Sequence, residues 1–174
     1  RLVMKLLRRI GRVLRHRWGD DAALRRAMPP ELLQRLEQRV AASERRHTGE
    51  IRIYVEAGLP NSYLWRDATA RERAISVFGK LRVWDTEDNN GVLVYLLLAE
   101  HAIEVVADRG LARHVDAARW QEVVAHMREA FAAGRFEDAL TQALDEVSAL
   151  LVGHFPLGEG ERGVDELPNA PVLG

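Results

Sequence analysis

A chain of 174 residues can hold one domain with a real core, and a composition of 47% hydrophobic and 29% charged residues excludes disordered and fibrous classes. No cysteine is present, which removes disulfides, thiolate-bound zinc, iron–sulfur clusters and thiol nucleophiles and suits a reducing compartment. The formal net charge of −1 conceals an asymmetry: residues 1–26 carry nine Lys or Arg against two Asp or Glu, leaving sixteen positive and twenty-four negative side chains for residues 27–174.

In residues 1–17, Leu2, Val3, Leu6, Leu7, Ile10, Val13 and Leu14 fall within an arc of about 140° at helical spacing, with Arg1, Lys5, Arg8, Arg9, Arg12 and Arg15 opposite. The pattern predicts a basic amphipathic helix. Arg recurs too often for the uninterrupted apolar stretch of a secretory signal, so a cytoplasmic protein is expected. After Trp18-Gly19-Asp20, a short helical piece ends at Pro29-Pro30, and Pro30 opens a helix over 30–47 with the stripe Leu32, Leu33, Leu36 and Val40. Gly49 stands where a left-handed C-cap is wanted.

Residues 50–57 alternate, with Ile51, Ile53 and Val55 on one face and Arg52, Tyr54 and Glu56 on the other, which predicts the first strand. A turn-rich loop through Gly58, Pro60, Asn61 and Ser62 leads to the capping-box spacing Thr69-x-x-Glu72 at the start of a crossover helix. The polar run from Asp85 to Gly91 then gives way to a continuous apolar strand, Val92–Leu98, of the kind covered on both faces. A tight turn at Ala99-Glu100-His101 leads into a third strand over 102–107, ended by Asp108-Arg109-Gly110. Two helices over about 116–133 and 135–153, divided by Gly134, complete the regular structure. Val92–Ala99 is the longest apolar run and is far short of the ~20 residues a membrane-spanning helix needs. The chain therefore divides into a basic helical extension (1–28), an α/β domain (29–156) and an extended tail (157–174).

Strand–helix–strand units are right-handed with parallel strands, so the first two strands begin at the same edge. The second and third are joined by a short turn and run antiparallel, which brings the end of the third to that edge as well. Glu50, Asp85, Glu87, Asp88, Asn89, Asn90 and Asp108 are thereby expected along one rim. Carboxylate and amide oxygens in this density suit a hard divalent cation, calcium above all, whose charge relieves their mutual repulsion. Asp-Asn-Asn-Gly is also ordinary turn chemistry that needs no ligand, so the residue types leave both readings open.

The succession Thr48-Gly49-Glu50-Ile51, Trp84-Asp85-Thr86, Asn90-Gly91-Val92-Leu93-Val94-Tyr95, Glu104 to Gly110, Trp120, Phe131, Gly134 and His154-Phe155-Pro156 resembles the TPM domain over about residues 30–156. The resemblance implies an α/β/α sandwich with a small mixed sheet and divalent-metal binding, calcium in particular, in the cleft formed by these loops. Carried over by position, the candidate ligands are Glu50, Asp85, Asp88, Asn90 and Asp108, with Asp88 and Asp108 foremost. It also carries a disputed phosphatase label. Many relatives have an export signal and a membrane-spanning tail, and the chain is closer to short bacterial proteins of unassigned function that share Trp84-Asp85-Thr86 and Glu166-Leu167-Pro168.

Other motifs carry less. Thr86-x-Asp88-x-Asn90-Gly91 imitates half an EF-hand loop, but Leu97 stands where a bidentate Glu is required. Gly158-x-Gly160-x-x-Gly163 has neither the preceding strand nor the following helix of a dinucleotide site. The histidines lack paired ligand spacing, no serine sits in a nucleophile elbow, and the tryptophans suit packing better than nucleic-acid stacking. The expected function is a calcium-binding, non-catalytic or weakly catalytic domain; a metal-dependent acid phosphatase acting on phosphomonoesters and a ligand-free interaction module are the alternatives. Arg109 is the one cation evident beside the acidic residues, which disfavours the phosphatase. The apolar face of residues 1–17 suits an anionic membrane surface at the inner face of the membrane, the domain itself, or a partner protein, and amphipathicity alone does not choose.

Overall fold

The computed structural model describes residues 1–18 and 21–174. Helix α1 (Leu2–Trp18) is followed by α2 (Asp21–Ala27) and α3 (Pro30–Glu44); the Gly19-Asp20 break between the first two lies outside the described residues. Strand β1 (Glu50–Glu56), the short helix α4 (Asn61–Trp65), α5 (Ala70–Lys80) and β2 (Gly91–Leu97) make the crossover unit. A 3-10 turn (Leu98–Glu100) leads to β3 (Ala102–Ala107), α6 (Arg109–Ala112), α7 (Ala117–Ala132), α8 (Phe136–His154) and a terminal β4 (Val172–Leu173).

The sheet order is β3-β2-β1-β4, with β1 parallel to β2 and β4 and β2 antiparallel to β3, the mixed sheet that the connections require. Ile51, Ile53, Val55, Val92, Val94 and Leu96 face one core with Leu36 and Val40 of α3, Met127 and Phe131 of α7, and Leu144 and Leu151 of α8. Leu93, Tyr95 and Leu97 face the other with Ala74 and Val77 of α5 and Leu64 of α4. The result is an α/β/α sandwich. Each large apolar side chain withdrawn from water contributes about 1.5–3 kcal/mol, and β2 is buried at all seven positions, so it is the structural centre.

Local signals act where expected in several places. Thr69 Oγ1 accepts from the Glu72 N–H (3.1 Å) and Glu72 reaches back to the Thr69 N–H (3.4 Å), a complete capping box. Gly134 takes φ +77° between α7 and α8. The expected hairpin turn after β2 is a 3-10 turn closed by His101 in the left-handed region (φ 46°).

Tertiary packing changes other readings. Helix α3 stops at Glu44, earlier than Gly49, and Gly49 does not serve as a left-handed cap. Its smallness serves packing instead, since a Cβ there would lie 2.6 Å from Leu151 Cδ2 and 3.1 Å from the Asn90 carbonyl oxygen. The polar face of β1 is also buried. Arg73 of α5 binds Glu56 through two hydrogen bonds (Nε–Oε2 3.0 Å, Nη2–Oε1 2.8 Å) and the Tyr95 hydroxyl donates to Glu56 Oε2 (2.7 Å). The tail covers the rest, with β4 paired to Tyr54 and Val55 and Arg52 donating to the Pro168 carbonyl. Alternation therefore marked two buried faces of different chemistry.

Candidate metal centre

The starts of the parallel strands meet as the topology demands. Glu50 pairs with Gly91 in register, Val92 pairs with Ala107, and the Asp108 N–H donates to the Gly91 carbonyl (2.9 Å). Segment 108–110 lies directly on the 88–89 backbone: the Gly110 N–H donates to the Asn89 carbonyl (2.7 Å), and a Cβ at Gly110 would be 2.3 Å from the Asp88 carbonyl oxygen. Only glycine allows that approach. Adjacent strands are about 4.8 Å apart, so the three strand ends form one continuous rim.

Along this rim the candidate residues have distinct surroundings. Asp85 is exposed and pairs with Arg82 (3.3 Å). Asp88 Oδ2 accepts from the Thr48 hydroxyl (3.0 Å), and Asn90 donates its side-chain amide to the same hydroxyl oxygen (3.0 Å). Asp108 Oδ1 caps α6 by accepting the Arg109 N–H (2.7 Å). Glu50 accepts the Glu166 N–H (2.8 Å) at Oε1 and is 1% exposed. Three oxygens on three neighbouring strand ends, Glu50 Oε2, Asn90 Oδ1 and Asp108 Oδ2, are buried without a hydrogen-bond partner. Each such orphan costs about 1–3 kcal/mol unless something satisfies it.

Among the described residues, one group of three carboxylates has ligand oxygens all within 4.8 Å of one another: Glu44, Glu50 and Asp165. Of the five residues expected from sequence, this group contains Glu50 alone. Glu44 ends α3 and holds the start of β1 by accepting the Ile51 N–H (3.0 Å). Asp165 comes from the tail, which the Glu50–Glu166 bond, the Glu87 N–H to Glu166 Oε2 bond (3.0 Å) and the Arg52–Pro168 bond hold on the rim. These three residues line a cleft of about 520 Å³ together with His47, Thr48, Arg45, Arg162 and Asn169, whose Oδ1 is likewise buried and unpartnered. The only sequence signal for this contribution was the shared Glu166-Leu167-Pro168 segment. Nothing local in Glu44 or Asp165 marked either as a ligand.

Burial and neighbouring charge together perturb the carboxyls of the cleft. Burial, followed by the neighbouring Glu50, pushes the Glu44 carboxyl up to about 9, and burial with the charges of Asp165 and Glu166 pushes Glu50 up to about 7. Glu44 and Glu50 are within hydrogen-bonding reach. As two carboxylates neither can donate, which leaves Glu50 Oε2 unsatisfied; one shared proton or one cation removes the conflict. Burial drives His47 down to about 4, so it is neutral near pH 7; its Nε2 lies 2.8 Å from Ser43 Oγ. An all-oxygen set of three carboxylates with amide and backbone oxygens nearby fits a hard divalent cation. Arg45 and Arg162 also line the cleft, basic residues that the sequence did not reveal beside the acidic ones.

Among solved structures, the chain is similar to the NMR structure of the BA42 protein from the psychrophilic bacterium Bizionia argentinensis, with a TM-score of 0.69 and 24% identity over 83% of this chain and 93% of that one. At that identity the likeness speaks for the fold. No curated protein matches the sequence. The model of the TPM domain matches residues 25–150, which include Glu44 and Glu50 and exclude Asp165. The chain belongs to the TPM domain family.

Proposed function

We propose that this TPM domain is a divalent-cation-binding protein, with calcium the ion its oxygen donors suit best, and that it acts by binding more than by catalysis. The carrying observation is the Glu44–Glu50–Asp165 group, in which a buried Glu50 oxygen lacks a donor while two carboxyls are held above their usual range by burial and by their neighbours' charge. A cation replaces the shared proton, satisfies Glu50 Oε2 and ties the tail to the end of α3. Asp88, Asn90 and Asp108 continue the rim as a second oxygen set, without a third carboxylate in reach of theirs among the described residues.

Calorimetric titration with calcium tests this. Binding is expected in the wild type and in Asp88→Ala/Asp108→Ala, and is expected to be lost in Glu50→Gln. Loss in the double variant with retention in Glu50→Gln would move the ion to the second set, and no heat in the wild type would refute cation binding altogether.

One observation favours a second reading, a metal-assisted phosphomonoesterase: Arg45 and Arg162 line the same cleft as the three carboxylates and could hold a phosphoryl group. Hydrolysis of p-nitrophenyl phosphate that depends on calcium or magnesium and disappears in both Glu50→Gln and Arg45→Gln would support it. Turnover untouched by either substitution would remove it.

A further inference from the structure

Helix α1 touches the domain through one side of its C-terminal half. Arg12 binds Glu100 Oε1 (2.6 Å) and Asp67 Oδ1 (2.8 Å), and His16 places Nε2 2.8 Å from the same Glu100 oxygen. His16 is 4% exposed, and its Nδ1 accepts the Leu59 N–H (2.8 Å). These anchors fix the rotation of the helix. At about 100° per residue, Val3, Leu7, Ile10 and Leu14 project roughly 170° away from the Arg12–His16 side. They are 67%, 62%, 47% and 46% exposed. Val13, at the near edge of the stripe, packs on the second core, and Leu2 and Leu6 border the groove beside residues 67–70. The helix is therefore held through Arg12, Val13 and His16 and turns the Val3, Leu7, Ile10 and Leu14 side of its apolar stripe outward.

The charges indicate what covers the stripe. The helix contains no acidic residue, and of the seven Lys and Arg in residues 1–17 only Arg12 has an ion-pair partner among the described residues. Arg8 and Arg15 flank the stripe on one side and Arg17 on the other. Two copies meeting stripe to stripe would bring these unneutralised cations together, which disfavours self-association. No helix among the described residues is long and apolar enough to cross a bilayer, so the arrangement suits a helix lying in the interface.

We propose that α1 docks the protein on an anionic lipid surface, with Val3, Leu7, Ile10 and Leu14 inserted at the headgroup boundary, Arg8, Arg15 and Arg17 against lipid phosphates, and the TPM domain on the far side. The inference is independent of the cation site. Co-sedimentation of the full chain with vesicles of phosphatidylcholine alone, or mixed with phosphatidylglycerol, tests it. Binding to the anionic vesicles and not to the neutral ones is expected. Arg8→Gln/Arg15→Gln should lower the partition coefficient roughly twenty-five-fold, since each cation at such a surface contributes about fivefold. Leu7→Gln/Ile10→Gln should abolish binding, and because all four side chains are exposed both variants should melt like the wild type. Equal binding by wild type and Leu7→Gln/Ile10→Gln, or equal binding to neutral and anionic vesicles, would overturn the proposal. A dimer that Leu7→Gln/Ile10→Gln dissociates would assign the stripe to a second copy and overturn it as well.

Discussion

Replacing Glu44 with glutamine is expected to make the metal-free protein more stable at alkaline pH while removing its affinity for a cation. The folded Glu44 carboxyl titrates at about 9 against an ordinary value of 4.5. Its folded pKa is raised, so between those values the native state holds a proton that the unfolded chain has lost, and stability falls as pH rises. One excess proton corresponds to a slope of about −1.4 kcal/mol per pH unit, which between pH 7 and 9 amounts to a loss of up to about 2 kcal/mol. Over this window His47 adds only a small opposing contribution that fades above pH 7, because its folded value lies near 4 and its ordinary value is 6.5. The glutamine of Glu44→Gln preserves the geometry: its side-chain oxygen can still accept the Ile51 N–H while its amide donates to Glu50, doing permanently what the shared proton does below pH 9. Urea unfolding in a chelating buffer at pH 7, 8 and 9 measures the effect. The wild type should lose stability steadily and Glu44→Gln should be nearly level. A wild type that is level or gains stability across the window, or a variant with the same slope, would refute the crowded-carboxyl account.

The same protonation predicts that calcium displaces up to one proton above pH 7, so that affinity rises by at most about tenfold per pH unit from 7 to 9; proton release measured in two buffers of different ionisation enthalpy checks this. Arg73→Met should destabilise by about 3–5 kcal/mol in urea unfolding, because it leaves the Glu56 carboxylate buried with only the Tyr95 hydroxyl as donor. Gly91→Ala should be comparably damaging, about 2–4 kcal/mol, since its Cβ would fall 2.0 Å from the Val83 carbonyl oxygen and backbone must move. Glu100 is held down to about 2 by His16 and Arg12, so its contribution is full above pH 4.5 and is lost as pH falls from there through about 2; Glu100→Gln should loosen α1 at neutral pH, measurable as faster amide exchange at Leu59.

Much of the architecture is local in origin and was therefore readable. The alternation of 50–56, the apolar run of 92–97 and the capping box at Thr69 each specify an element through the backbone geometry of a few neighbouring residues. Chirality of the crossover then brought Glu50, Asn90 and Asp108 to one rim without knowledge of coordinates. Smaller pieces escaped: α4 and α6 are single turns with no apolar period, and α3 ends at Glu44 while Gly49 packs under Leu151 and caps nothing.

The amino-acid sequence by itself determined the strand pairing, the acidic rim and the amphipathic character of the first helix, because periodicity, handedness and charge act over short distances, while the sandwich was implied by the family resemblance. Only the tertiary structure decided which carboxylates lie within ligand distance of one another and which way the helix faces. Glu44 and Asp165 lie 121 positions apart and come within ligand reach because Arg52, Glu50 and Glu166 bind the tail to the rim. Likewise Val3, Leu7, Ile10 and Leu14 of α1 point to solvent because Arg12 and His16 are bonded to Glu100 on the opposite side. Both outcomes depend on contacts between distant segments, whose pairing is set by the packed chain and not by any local pattern.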